Sequence, residues 1–244
     1  MFVKPTQTVK QFDGKIVTFF TENKLWLKAY EDGKNAWETR NWSYAQKIVK
    51  NPDVVLDIGA NIGQEMLYYT GWANRIISFE PNPATFEVLK QNVEQNDIKN
   101  VKLMNLGVGS GPSKAFINLV KNNEGRSFVT PTPTKVSHEI TIVAIDDLDI
   151  GDGSVDFVKM DVEGFEIEAL KGMRSLIDKH SPVFQIEAQD ETLERCGVTS
   201  VDIWDFFNER GYVATINTGK VIERERALTK DRTRVDLFFK KTQE

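Results

Sequence analysis

Short apolar runs alternate along this chain with segments in which apolar residues recur every three or four positions. A continuous apolar run indicates a strand buried on both faces, and the longer period indicates an amphipathic helix. Five runs of the first kind cover residues 54–58, 75–80, 100–108, 155–160 and 183–187, and two more, 212–216 and 235–240, read as a paired C-terminal end. The pattern predicts an α/β fold with a mostly parallel, seven-stranded sheet, helices on both faces and a C-terminal antiparallel strand.

Segments outside these runs predict three further parts of the fold, which are a hairpin, a helix and an insertion. Residues 15–21 and 25–30 read as a hairpin, and residues 35–50 read as a helix packed on the core. We expect residues 1–50 to form an N-terminal extension and residues 51–244 to form the main domain. Between the third and fourth core strands, residues 109–145 contain alternating stretches that indicate an insertion, which is well placed to contact substrate if it is more than a connection.

The composition excludes several classes of function. Charges are nearly balanced, with 31 Lys and Arg against 36 Asp and Glu, so no electrostatic case for nucleic-acid binding arises. Cys196 is the single cysteine, which excludes an internal disulfide and a thiolate metal cluster. No apolar segment reaches membrane-spanning length, and a soluble cytoplasmic protein is expected. The composition leaves homo-oligomer formation open.

The first buried run ends in a glycine-containing turn that predicts a ligand site. Its order is Asp-x-Gly-x-Asn-x-Gly rather than the Gly-x-Gly-x-x-Gly that cradles a pyrophosphate. A carboxylate at such a turn suits a cationic amino group better than a phosphate. The candidate ligand-binding residues of this turn are Asp57, Gly59, Ala60, Asn61 and Gly63.

The next two strands add candidates at the same edge of the sheet. Glu80 ends the second run about twenty residues after the glycine turn, which is the offset at which an acid reaches a ribose diol. Pro81 and Asn82 follow it, with Asn82 placed to cap the next helix. The exit of the third strand predicts a base pocket from position alone. Its candidate residues are Asn105, Leu106 and Gly107.

Residues 155–166 bear the densest chemistry of the chain. The strand delivers Lys159, Asp161 and Glu163 at alternate positions, so the three charges can converge at its end. Burial of three charges is costly without a function or a partner, and a structural salt bridge between Lys159 and a glutamate is the alternative explanation. The pattern after this strand predicts one helix that extends to residue 177. Glu166 and Glu168 lie in its first turn, where favourable interaction with the helix dipole is enough to explain them. Glu187 ends the fifth run, and a Mg²⁺ on Asp161 and Glu187 is left open.

Together these motifs resemble the FkbM family of S-adenosylmethionine-dependent methyltransferases. The resemblance covers residues 53–190, and the motifs that carry it are residues 57–63, 79–83, 145–148 and 159–166, with 185–187 in support. The family resemblance implies a Rossmann-like class I methyltransferase fold, with S-adenosylmethionine as cofactor and O-methylation of sugars or natural products as activity. Asp161 is then the candidate base for the acceptor hydroxyl and a candidate cofactor-binding residue as well. Lys159, Glu163 and Glu187 would position the substrate or tune Asp161.

The resemblance and the residues leave two other functions open. A nicotinamide-dependent oxidoreductase shares the acid at the end of the second strand, but neither its glycine pattern nor a Tyr-x-x-x-Lys pair is present. A catalytically silent binding or scaffold protein on the same fold would keep the ligand site without turnover. The segment from Arg224 to Arg234 could grip an anionic substrate, although interleaved acids favour a solvated connection.

Overall fold

The computed structural model describes residues 7–10, 16–19, 36–118, 127–130, 132–134, 137–227 and 235–242. The strands in these ranges are β1 (Gln7–Lys10), β2 (Ile16–Phe19), β3 (Val54–Ile58), β4 (Arg75–Phe79), β5 (Val101–Met104), β6 (Gly107–Val108), β7 (Ser113–Asn118), β8 (Phe128–Thr130), β9 (Ser137–Val143), β10 (Val155–Met160), β11 (Val183–Ala188), β12 (Tyr212–Thr215) and β13 (Val235–Lys241).

The main sheet has seven strands in the order β12-β13-β11-β10-β3-β4-β5. Strands β11, β10, β3, β4 and β5 pair in parallel, and β13 pairs antiparallel with both β11 and β12. This confirms the predicted sheet with its antiparallel C-terminal strand. The chain leaves β3 toward β5 and later returns to β10 on the other side of β3. The carboxyl ends of β3 and β10 therefore form a topological switch point, where ligands bind in open α/β sheets.

Helices cover both faces of this sheet. They are α1 (Ala36–Ile48), α2 (Gln64–Tyr69), α3 (Pro83–Gln95), α4 (Glu166–Lys171), α5 (Arg174–His180), α6 (Asp190–Leu193), α7 (Ser200–Asn208) and α8 (Arg224–Ala227). One core cluster packs α1, α2 and α3 against Val55, Ile76 and Phe157. The other packs α4, α5 and α7 against the opposite face, on Leu56 and Val158. Side chains along a strand alternate between the two faces of the sheet. Asp57 and Lys159, which follow Val55 and Phe157 by two positions, therefore also lie beneath α1 and α2.

The predicted insertion forms a second sheet of four strands, ordered β6-β9-β7-β8. Its small core contains Ala115, Ile117, Ile140 and Ile142, and Phe165 packs against it. Phe165 immediately precedes α4, so the second sheet contacts the segment that carries the predicted chemistry. This contact places the insertion beside the candidate site.

Three sequence-based predictions need correction. The single strand predicted over 100–108 is two strands, because β5 pairs with β4 whereas β6 pairs with β9 of the second sheet. The single helix predicted to extend to residue 177 is α4 followed by α5. It breaks at Gly172, whose carbonyl accepts the Asp146 amide at 3.0 Å, while the Asp146 carboxylate caps α5 through the Ser175 and Leu176 amides.

The predicted N-terminal hairpin differs as well. Strand β2 pairs with β1, which the pattern did not indicate, and residues 25–30 lie outside the described residues. Helix α1 forms as predicted and places Trp42 and Ala45 in the core, where Val49, the residue after the helix, also packs. The division of the chain at residue 50 stays a prediction. No helix in the described ranges combines the length and apolarity needed to cross a membrane.

Candidate functional site

Polar side chains lie in one row across the buried sheet face beneath α1 and α2. Asp57 on β3 is the register partner of Ser78 on β4 and of Lys159 on β10, and Lys159 is the partner of Gln185 on β11. Register partners project from the same face. Each of the four residues is buried. The row therefore marks the carboxyl end of the sheet, at the switch point, as a polar site.

Lys159 lies among three carboxylates that come from different elements. Its Nζ is 2.8 Å from Glu65 Oε2 on α2 and 3.6 Å from Asp161 Oδ2, just beyond β10. Asp57 is its neighbour on β3. Burial alone would lower the pKa of Lys159, but Glu65, Asp161 and Asp57 outweigh it and raise that pKa. Lys159 is thus a permanent cation, which partly neutralises an acidic site.

Asp57 is fully buried, and only one of its oxygens has a partner. Ser78 Oγ donates to Oδ2 at 3.4 Å, whereas Oδ1 has no hydrogen-bond partner among the described residues. Burial raises the pKa of Asp57 to about 7 against the attraction of Lys159, and Glu65 adds to the rise. A buried polar atom without a partner is uncommon in proteins and indicates a missing ligand, water or ion.

The glycine turn after β3 is held by backbone contacts to both neighbouring strands. The Gly59 and Ala60 amides both donate to the Phe79 carbonyl at 2.9 Å, and the Asp161 amide donates to Ile58 at 3.0 Å. Gly59, Asn61 and Gly63 all have positive φ, at 84°, 51° and 92°. A side chain at Gly59 would meet the Asp161 carbonyl. The turn is therefore packed directly against the end of β10.

Glu80 connects the glycine turn to the loop after β4. Its Oε2 accepts the Asn61 amide at 2.9 Å and its Oε1 accepts the Asn82 amide at 2.8 Å. Burial raises the pKa of Glu80 to about 7, although both amides lower it. Asn82 caps α3 through the Ala84 amide, as predicted. Each Glu80 oxygen keeps a second lone pair for a further donor.

The residues predicted for the base pocket have structural partners. Asn105 Nδ2 donates to the Glu80 carbonyl at 2.8 Å and to the Pro81 carbonyl at 3.1 Å. Leu106 is half-buried, and Gly107 is buried in β6, where a side chain would meet Ile142. A side chain at position 107 would therefore displace the end of the Ile142 side chain in the second sheet. A role for these three residues in binding a base stays a prediction.

The remaining predicted residues lie further along the same edge. Glu163 has a φ of 53°, in the left-handed region that non-glycine residues rarely adopt, and Gly164 follows at 108°. Glu187 is buried at the end of β11, where it is the register partner of Asp236. In the described part of the chain, no three His, Cys, Asp or Glu residues are placed to hold a metal.

The arginine segment is only partly described. Arg224 makes a two-point contact with Asp205, at 2.7 and 2.6 Å. Lys230, Arg232 and Arg234 lie outside the described residues. The contact to Asp205 occupies the guanidinium of Arg224 and fits the interpretation as a surface connection.

Two residues of the site were not identified as such from the sequence. Glu65 was not indicated at all, and Glu166 was assigned only a helix-dipole role. Glu65 is an acid in the first turn of α2, where a helix-dipole role is the usual explanation. Glu166 is 1% exposed, and its Oε1 accepts the Val162 amide at 3.1 Å and the Gly164 amide at 3.3 Å. The dipole explanation for Glu166 was therefore incomplete. Its carboxylate fixes the turn that follows Asp161, and burial raises its pKa to about 7.

Replacement of Glu166 by alanine is expected to lower the free energy of unfolding by about 1–3 kcal/mol, because two buried amides lose their acceptor. Glu166→Gln keeps an acceptor oxygen and should lose less. Urea denaturation of both variants measures the difference. Equal stability of Glu166→Ala and the wild type would show that the turn does not depend on this carboxylate.

Comparison with known proteins agrees with this geometry. A family model described as the methyltransferase FkbM domain matches residues 57–214, well over half of the chain. The hexuronic acid methyltransferase AglP of Haloferax volcanii is 30% identical over 151 residues, which are 58% of this chain and 61% of that protein. Methyltransferase sdnD of Sordaria araneosa is 28% identical over 158 residues, 50% of this chain and 61% of that protein. The matches thus span about three fifths of each relative's length.

Solved structures show the same fold. A methyltransferase FkbM from Methylobacillus flagellatus superposes with a TM-score of 0.51 at 24% identity, over 78% of this chain and 44% of that one. SMU.1697c from Streptococcus mutans, solved in complex with SAH, superposes with a TM-score of 0.50 at 8% identity, over 82% of this chain and 95% of that one. With the family match over residues 57–214, the chain belongs to the FkbM methyltransferase family.

Proposed function

We propose that the protein transfers a methyl group from S-adenosylmethionine to a hydroxyl oxygen of a sugar, glycan or natural product. The observation that carries the proposal is the group of Asp57, Glu80, Lys159 and Asp161 at the switch point of the sheet. Binding and chemistry of a nucleoside-like cofactor both require polar groups at this place in the fold. Family membership supports methyl transfer over nicotinamide-dependent oxidation.

The cofactor side of the site fits S-adenosylmethionine. This cofactor supplies a methyl group that is activated by a sulfonium charge. Asp57 Oδ1, buried without a partner, suits the cationic amino group. Glu80 has acceptor capacity for the ribose hydroxyls beside the left-handed turn at Asn61. The glycine turn permits close approach of the backbone. Among the described residues of the site, carboxylates outnumber the cation Lys159, which favours a cofactor with net positive charge.

The acceptor side would be built around Asp161. Its carboxylate follows the end of β10, and Lys159 lies 3.6 Å away. An acceptor hydroxyl that attacks a methyl carbon must lose its proton, and a positioned carboxylate takes it as general base. Much of the rate comes from alignment of the acceptor oxygen, to which the buried Lys159, the turn at Glu163 and Glu187 would contribute.

Two observations indicate the chemical class of the methyl acceptor. One comes from a relative, and the other comes from the position of the second sheet. The name of the Haloferax volcanii relative states that it methylates a hexuronic acid. A sugar acceptor is therefore the first class to test here. The second sheet contacts the catalytic segment through Phe165 and is placed to recognise such an acceptor.

Cofactor affinity is expected to rise about a hundredfold between pH 6 and pH 8, about tenfold for each of Asp57 and Glu80, because their ionised forms bind the cofactor and burial raises both pKa values to about 7. Below pH 7 a proton must leave before binding. Calorimetry at both pH values measures this rise. Glu80→Gln should flatten part of it, and Glu209→Gln, a change at an exposed surface acid, should not. An equal rise in all three proteins would contradict the assignment.

The activity itself is tested by transfer of a labelled methyl group from S-adenosylmethionine to a panel of uronic acids, neutral glycans and hydroxylated natural products. Mass spectrometry of the product identifies the methylated atom. Transfer to an oxygen that requires Asp161 is the expected result. Cofactor binding without transfer to any acceptor would favour the silent scaffold, and a nicotinamide-dependent absorbance change would favour an oxidoreductase.

A further inference from the structure

The carboxylates of Glu65 and Asp161 both lie near the ammonium of Lys159, but at different distances from it. Glu65 Oε2 lies 2.8 Å from Nζ, within hydrogen-bond distance, whereas Asp161 Oδ2 lies 3.6 Å away, beyond it. Lys159 and Glu65 are both largely buried, with side chains 8% and 21% exposed, so water screens the contact weakly. Glu65 therefore fixes where the charge of Lys159 lies.

We propose that Glu65 is a positioning residue that sets the basicity of Asp161, by holding Lys159 away from it. With Glu65 in place, the ammonium hydrogen-bonds to α2, and Asp161 is attracted across a longer distance. Without the Glu65 charge, Lys159 would turn to Asp161 and a repulsive carboxylate would be lost. Both changes stabilise the ionised form of Asp161 and make it a weaker base. The inference rests on the proposed role of Asp161 as base.

The position of Glu65 ties this effect to the cofactor side of the site. Helix α2 begins directly after Gly63, the last residue of the glycine turn. The Ile62 carbonyl of that turn accepts the buried Asn92 side chain at 2.7 Å, which fixes the start of α2 against α3. Glu65 is thus two residues from the glycine turn and in contact with Lys159 at the end of β10. The pair links the turn to the acceptor side.

Other charged groups in the described part of the chain lie near Lys159 and Asp161 as well. Asp57 faces Lys159 from β3 and is fully buried, and Glu166 lies on α4 with its Oε1 bound to two amides. Glu163 follows Asp161 in the same turn, and Glu187 ends the adjacent strand β11. Among the ion pairs seen for Lys159 in the described residues, the one with Glu65 is the shortest.

The test is a ¹³C carboxyl NMR titration of the ligand-free protein with labelled aspartate, in which Asp161→Asn identifies the Asp161 signal. We expect Glu65→Gln to move the titration midpoint of that signal down by about one pH unit. Glu65→Asp, which retracts the carboxylate by one methylene, should move it in the same direction by less. Glu209→Gln is the matched surface control and should leave it unchanged.

Kinetics supply the second readout. In Glu65→Gln, the acidic limb of the plot of kcat against pH should move to lower pH by about one unit. The plateau value of kcat should fall about threefold, because Asp161 is then a weaker base. A uniform loss of turnover with no displacement of the limb or of the NMR midpoint would show a purely structural ion pair and overturn the inference. Because the NMR titration needs neither cofactor nor acceptor, failure of the proposed function would leave this result interpretable.

Discussion

Replacement of Asp161 by asparagine is expected to lower turnover by about 10²–10⁴-fold, the usual contribution of a positioned general base. The amide keeps the size and shape of the side chain but cannot accept the acceptor's proton. Since Asp161 pairs with Lys159 on the acceptor side, cofactor affinity should change far less than turnover. Single-turnover methyl transfer and calorimetry on the same sample separate the two quantities.

The control for this experiment is Asp178→Asn, the same chemical change at an exposed position of α5. It should turn over at the wild-type rate. Full turnover of Asp161→Asn with an unchanged pH profile would show that another group takes the proton or that none is needed. The role assigned to Glu65 would then lose its basis as well.

Gly59→Ala is expected to destabilise the protein by about 2–5 kcal/mol. The substitution combines a backbone at φ 84°, which costs an L-residue energy, with overlap between the new methyl group and the Asp161 carbonyl. That carbonyl belongs to backbone and has no rotamer by which to escape, so β3 and β10 must separate. The midpoint and slope of a urea denaturation curve measure the loss.

Gly111→Ala is the matched control, because nothing lies within 4 Å of the position that its methyl group would occupy. Its stability should stay within about 0.5 kcal/mol of the wild type. If Gly59→Ala were equally harmless, the close packing between the glycine turn and the end of β10 would be wrong. The placement of Asp161 beside the cofactor turn would fall with it.

The sequence predicts the main sheet well, because its central strands β3, β4, β10 and β11 are buried and appear as continuous apolar runs. Prediction fails where an element depends on a distant contact. Nothing local at Gly172 shows that its carbonyl receives the Asp146 amide and ends α4. Likewise, residues 100–108 read as one run, and only the separate partners of β5 and β6 divide it.

Some residues of the candidate site can likewise be predicted from the sequence, and others cannot. Asp57, Glu80, Lys159 and Asp161 are predictable because each stands at or near the end of a strand, where parallel strands bring side chains to one edge. Glu65 and Glu166 occupy first turns of helices, where acids are common for reasons of the helix dipole. Only the fold reveals that one binds Lys159 and the other binds two amides of a strained turn. The salt bridge of Lys159 with a glutamate, which the sequence offered as the alternative explanation, is present, but its partner could not be named from the sequence.

The central claim is that the switch-point crevice binds S-adenosylmethionine, and calorimetric titration with S-adenosylmethionine and S-adenosylhomocysteine at pH 8 tests it most directly. The account predicts that both ligands bind at one site and that Glu80→Ala weakens binding about ten- to hundredfold, the loss of hydrogen bonds to a charged group. Glu209→Ala should bind as the wild type does. Absence of binding of either ligand to a folded sample would contradict the account.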